Sequence, residues 1–431
     1  MKKWLLILIS FCLLPTLAQA NDSAYWPNWR GPNANGLVDS GNPPVKWDES
    51  TNIRWKVKIP GMGHATPVAW GDRIFVQTAV QTDKTVEVTQ KGKKTPPANV
   101  YQFKVMALER KTGKVVWEKT VREVNPHEGM HQTASFASSS GVTDGEHLYA
   151  FFGSRGLYCF DLDGTLKWDK DFGKQAMAGT FGEGASPTIH GNTLIINLDQ
   201  QGDSFLITMD KKTGKEIWRK ARSERTTWVT PFIIEHKGKT QVIISASKKT
   251  RSYDLKTGDV IWECAGLGSN VIPTPVYADG VVYVTSGHRQ PAMQAISLDK
   301  AQGDITGTDA VLWSIADNTP YVSSPLLYGD NIFVLKNRNA ILSCYNAKTG
   351  EAFYGPQRLE GMRRAYASLV GVNDRVYISG LGGTTLVIKN SSTYEVLATN
   401  SLDEGIAASP VIVDNELYLR GDEHLYCIAE E

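Results

Sequence analysis

"DKKTGKEIW" (residues 210–218) reads as a surface turn followed by an apolar strand, and the chain writes it repeatedly: "ERKTGKVVW" at 109–117 and "DLKTGDVIW" at 254–262. Aligned on the turn, Gly113, Gly164, Gly214 and Gly258 each precede a tryptophan by four residues, namely Trp117, Trp168, Trp218 and Trp262. Weaker copies follow at "TDAVLW" (308–313), which keeps Trp313, at "KTGEAFY" (348–354), and at "STYEVLA" (392–398), which has lost both glycine and aromatic. A period of roughly 40–50 residues signals a propeller or a solenoid.

A second marker opens each repeat: a Ser or Thr, usually followed by Pro, ahead of an apolar strand. The positions are Thr66, Ser139, Ser186, Thr230, Thr274, Ser324, Ser368 and Ser409. Between the markers, β-branched and aromatic runs such as "NTLIINL" (192–198), "GVVYVTS" (280–286) and "DRVYISG" (374–380) read as second strands. Third strands such as "FLITMD" (205–210) follow, and the Lys-Thr-Gly turn leads to a fourth, outer strand bearing the tryptophan. Sheets this small cannot bury their faces alone, so they stack radially, with each tryptophan filling the wedge between neighbours.

The last repeat stops at "HLYCIAEE" (424–431) without a fourth strand, while "NIRWKVKI" (52–59) carries Trp55 in the fourth-strand context with no blade before it. The expected fold is therefore all-β: an eight-bladed β-propeller of four-stranded antiparallel blades over 52–431, closed by the N-terminal strand pairing with the last blade. Closure removes the open edge of a linear array. Such a self-closed ring is expected to be a monomer. Residues 21–51, rich in Asn, Gly and Pro, are expected to form a strap over it, with Arg30 a candidate to reach the funnel.

Residues 1–20 have the pattern of a secretory signal: Lys2 and Lys3, the run "WLLILISFCLLPTL", and "AQA" at 18–20. This predicts a periplasmic or secreted protein without a membrane span, since the apolar run is shorter than the roughly 20 residues a span needs. No lipid anchor is expected, because no cysteine follows the cleavage site. Removing Lys2 and Lys3 leaves 44 basic against 45 acidic residues, a net charge of −1. Nucleic-acid binding needs clustered basic excess and is not expected. The stretch "KGKKTPP" (91–97) reads as a solvated loop.

Cys12 departs with the signal, leaving Cys159, Cys264, Cys344 and Cys427. Three of them share one third-strand register in separate blades, too distant for the roughly 4.4–6.8 Å Cα spacing of a disulfide. Buried free thiols are expected. No CxxCH is present for covalent haem.

The "DxKTGKxxW" turn and the eightfold Ser/Thr openings resemble the pyrroloquinoline-quinone (PQQ) repeat of quinoprotein-type eight-bladed propellers, and "WPNWRGPNANG" (26–36) resembles the opening of exported BamB-like members. The resemblance implies either a scaffold that binds an envelope protein or, as the alternative, an alcohol or sugar oxidoreductase using PQQ with calcium. The adjacent-cysteine pair of the PQQ dehydrogenases is absent here, and their calcium ligands and catalytic aspartate match no positions that can be carried over.

"HEGMH" (127–131) matches a zinc-protease pattern, but Pro126 and Gly129 place it in a loop, and no metal is expected. "SFASSSG" (135–141) is a blade opening rather than a nucleophile elbow. Propeller topology brings the loops preceding each first strand, and those between second and third strands, to one face. There the candidate ligand-binding residues are His64, His131, Glu183, Trp228, Asn270, Tyr321, Arg364 and Tyr366, with Arg155, Asp199, Gln200, Arg289, Arg338 and Asn339 on the partner loops. Arginine forks with stacking aromatics suit a small anionic or polyhydroxylated ligand.

Overall fold

The computed structural model describes residues 25–89, 92 and 95–430. The expected secretory signal, and residues 91, 93 and 94 of the basic stretch, lie outside the described residues.

Eight antiparallel blades form the ring. The third blade shows the pattern: Thr188–His190, Thr193–Leu198, Ser204–Asp210 and Glu216–Arg222. Its second strand is buried on both faces, because a neighbouring blade covers each side, whereas the outer strand alternates. The expected closure is present. Ile53–Lys58 pairs with His424–Ile428, with Trp55 opposite Cys427. Arg110 of the first blade adds ion pairs across this seam to Asp414 and Glu416 of the last.

Each Lys-Thr-Gly turn docks on its neighbour's tryptophan. Trp55 Nε1 donates to the carbonyl of Arg110 at 2.9 Å, Trp117 to Leu162, Trp168 to Lys211, Trp218 to Leu255 and Trp313 to Ala347. The ring of each indole lies against the turn glycine. Trp262 departs from the series, because the fifth blade replaces the turn with a longer connection. Gly303–Asp304 of that connection pairs in parallel with Val260–Cys264, and Trp262, fully buried, donates to Gln241 instead. Among the described residues the four cysteines, Cys159, Cys264, Cys344 and Cys427, are free and buried. Cys159, Cys344 and Cys427 pair in register with Trp168, Tyr354 and Trp55, so the small slot exists to face an outer-strand ring.

The hydroxyls form a latch around the axis. The backbone N–H of Thr66 donates to Ser140 Oγ at 2.9 Å, Ser140 to Ser186, and Ser186 to Thr230. Thr274 donates to Ser324, Ser324 to Ser368, Ser368 to Ser409, and Ser409 back to Thr66 Oγ1. Two details differ from the sequence reading. The second blade contributes Ser140 rather than Ser139, whose carbonyl instead accepts from Gln77. The link from Thr230 to Thr274 is missing, and Thr274 Oγ1 is buried without a partner.

The strap crosses the ring through its innermost strands. Tyr25–Trp26 pairs with Val68–Trp70 of the first blade, and Leu37 bridges Gly371 of the seventh. Between these points Arg30 is buried, donating to the carbonyls of Asn35, Pro325 and Leu369. Burial without a carboxylate lowers its pKa to about 9. Arg30 therefore fastens the strap to the sixth and seventh blades and is spent there.

Candidate functional site

A cavity of about 270 Å³ opens on the face of the ring opposite the Lys-Thr-Gly turns. Trp29 of the strap and the hydroxyls of Thr66, Ser140, Ser186 and Ser409 line it together with the loops leading into the blades. The strap pairs with the innermost strand of the first blade at its turn end, Tyr25 opposite Trp70, and brings Trp29 to the cavity. Of the residues singled out from sequence, His64, His131, Glu183, Trp228, Tyr321, Arg338 and Tyr366 line the cavity.

The aromatic walls hold one another in place. Trp228 donates through Nε1 to the carbonyl of Gly182 at 2.7 Å and meets Phe181 edge-on at 6.0 Å; Phe181 in turn lies 5.8 Å from His131. Across the cavity His288 stacks on Tyr321 at 5.1 Å. The imidazole of His64 is pushed down to about 4, first by burial and then by the Arg420 guanidinium, so it is neutral at pH 7. Burial also lowers His288, with Arg289 and Arg338 adding to the shift.

The remaining sequence candidates do not line the cavity: Arg155, Asp199, Gln200 and Asn270 have local tasks, and Arg289, Asn339 and Arg364 are exposed. Arg155 is buried over Phe103 and Phe136 and pairs with Glu183 at 2.9 Å. Glu183 also accepts from the Ser154 backbone and hydroxyl, so both its oxygens are engaged. Asp199 forms a fully buried pair with Arg222 at 2.7 Å and accepts from Thr227. Gln200 takes the Ala176 N–H and donates to the Asp203 carbonyl. Asn270 stands behind His288, and Arg364 is exposed on a neighbouring loop.

Sequence reasoning passed over Trp29, Phe181 and His288. His288 sits beside Arg289, which was noticed, and Phe181 is bracketed by Gly179, Gly182 and Gly184, a pattern that marks a close-packed loop tip. The "HEGMH" stretch is a loop staple: His127 bonds the Gln175 carbonyl, and Glu128 accepts the Met177 N–H. Among the described residues no group of three or more His, Cys, Asp or Glu is placed to hold a metal ion. No helix among them is long and apolar enough to cross a membrane.

Chemically, the site offers stacking surfaces, hydroxyls and the neutral imidazole of His64, with its lining carboxylate already engaged. It is the aromatic-walled cavity of an eight-bladed propeller, the architecture of the PQQ-like repeat proteins. The chain belongs to the family described as "Outer membrane protein assembly factor BamB", whose model matches residues 102–353 and 265–431.

A curated relative with that name from Francisella salina is 30% identical over 103 residues, which is 23% of this chain and 18% of the relative. The match thus spans under a fifth of the relative's length. Among solved structures, BamB from Moraxella catarrhalis superposes with a TM-score of 0.53 at 11% identity, covering 82% of this chain and 99% of that one. The quinohemoprotein alcohol dehydrogenase from Comamonas testosteroni gives 0.66 at 11% identity, covering 96% and 82%. The computationally designed Ika8 protein gives 0.53 at 10%, covering 85% and 100%. An assembly factor, an enzyme and a designed protein share the ring, so these likenesses carry the fold and not the chemistry.

Proposed function

We propose that this chain is an exported binding protein of the cell envelope that takes a small ligand, or a segment of an envelope partner, into the aromatic-walled cavity. The pattern of residues 1–20 and the family description support the location. The carrying observation is the cavity itself, lined by the aromatic side chains of Trp29, Trp228, Tyr321 and Tyr366. Concave, mostly apolar sites with a few convergent polar groups are the usual form of a binding site.

The oxidoreductase alternative finds less support, because the residues do not fit calcium with a quinone. Calcium takes about 6–8 oxygen ligands, whereas the lining carboxylate, Glu183, is held by Ser154 and Arg155.

Titration with aromatic carboxylates and oligosaccharides, followed by tryptophan fluorescence, tests the binding reading. A saturable change that Tyr366→Ala weakens is expected. A flat response across the series, with PQQ and calcium restoring dye reduction, would replace the binding reading with the enzymatic one.

A further inference from the structure

Several arginines in this molecule are paired: Arg54 and Arg110 with Glu416, Arg122 with Asp171, Arg219 with Glu216. Five on the cavity face differ. Arg225, Arg289, Arg338, Arg363 and Arg364 are exposed, and no carboxylate among the described residues forms an ion pair with any of them. Arg225 stands on the loop leading into the fourth blade. Arg289 and Arg338 stand on the loops between second and third strands of the fifth and sixth blades; Arg363 and Arg364 stand on the loop leading into the seventh. They form a one-sided cationic lip beside the cavity, which Arg338 itself lines. Of the acids on this face, Glu183 is engaged with Arg155 and Glu404 with His424 and Tyr426, whereas Glu360, on the same loop as Arg363 and Arg364, is exposed.

The cavity, about 270 Å³, lies just below the roughly 300–1,000 Å³ of drug-sized ligand pockets. It has room for one ring system. The lip, by contrast, is spread over the loops of the fourth to seventh blades. A ligand using both must place a ring in the cavity and carry several anionic groups along one side.

Resting on the binding reading above, we propose that the occupant is an acidic polypeptide segment with an aromatic anchor, the anchor between Trp228 and Tyr321 and its flanking carboxylates on the arginine lip. Guanidinium forks match carboxylates bidentately. A single-stranded nucleic acid shares the ring-plus-anion chemistry, but it requires a basic track along its backbone, and the chain carries no basic excess, 46 Lys and Arg against 45 Asp and Glu.

The test is fluorescence anisotropy with a labelled peptide in which one tryptophan is flanked by aspartates, run beside indole-3-acetate and an oligothymidylate. Saturable peptide binding is expected, weakened about tenfold or more by R338A/R363A/R364A, by alanine in place of the peptide's tryptophan, and by raised salt. Arg219→Ala, on the outer rim, should leave it unchanged. Equal binding by the triple variant overturns the proposal, as does preference for the oligothymidylate. Indole-3-acetate binding without peptide binding sinks the peptide assignment while leaving the cavity reading intact; failure of both removes the two together.

Discussion

The indole of Trp55 lies against Gly113 of the neighbouring blade, where an added β-carbon would stand 2.8 Å from the indole Cδ2 and 2.7 Å from Val57 Cγ2. Gly113 also has φ +72°, a conformation that side-chain-bearing residues rarely adopt. One residue thus satisfies a turn and a docking surface at once. Gly113→Ala should lower stability by about 3 kcal/mol or more, combining backbone strain with overpacking. Gly71→Ala, at φ +57° with no atom within 4 Å, should show only the backbone part, about 1 kcal/mol. Urea midpoints of the two variants check the difference.

The hydroxyl latch distinguishes two adjacent serines. Ser140→Ala leaves the Thr66 N–H buried without an acceptor and should cost about 1–3 kcal/mol. Ser139→Ala keeps the backbone carbonyl that Gln77 uses, so a clearly smaller loss is expected in the same denaturation measurement.

Asp199→Ala should disturb the fold before it disturbs any ligand. Arg222 is fully buried, and its partner would be gone, which typically costs about 3–5 kcal/mol. Thermal unfolding of D199A, with circular dichroism as readout, tests this. A variant as stable as the parent would return Asp199 to the ligand candidates.

Acid sensitivity should trace in part to His64. Its folded pKa is about 4 against about 6.5 unperturbed, so between those values the unfolded chain binds the additional proton. Stability therefore rises with pH across that window and, for this group, is flat above it. His64→Gln lacks the term. The stability of the parent relative to H64Q should fall progressively as pH is lowered from about 6.5 to about 4, measured by urea denaturation at each pH.

The ring was legible because its signals are local and repeated. A turn glycine and a tryptophan recur at fixed spacing, and the missing fourth strand of the last repeat has a counterpart carrying Trp55. One register error, Ser139 for Ser140, arose where Pro is absent after the hydroxyl and three serines are consecutive. The site was less legible. Arg155, Asp199 and Gln200 look like ligand groups in the sequence because their partners, Glu183, Arg222 and Ala176, are many residues away.

Strand order, blade number and closure follow from the chain's own periodicity, since each blade is built from contiguous residues whose pattern states which side is buried. The contribution of the strap to the cavity does not. Trp29 reaches the cavity because Arg30 bonds carbonyls of the sixth and seventh blades, nearly 300 residues or more further along. Which polar groups stay available is likewise set by packing, because a charge is consumed or left free by neighbours that no local pattern announces.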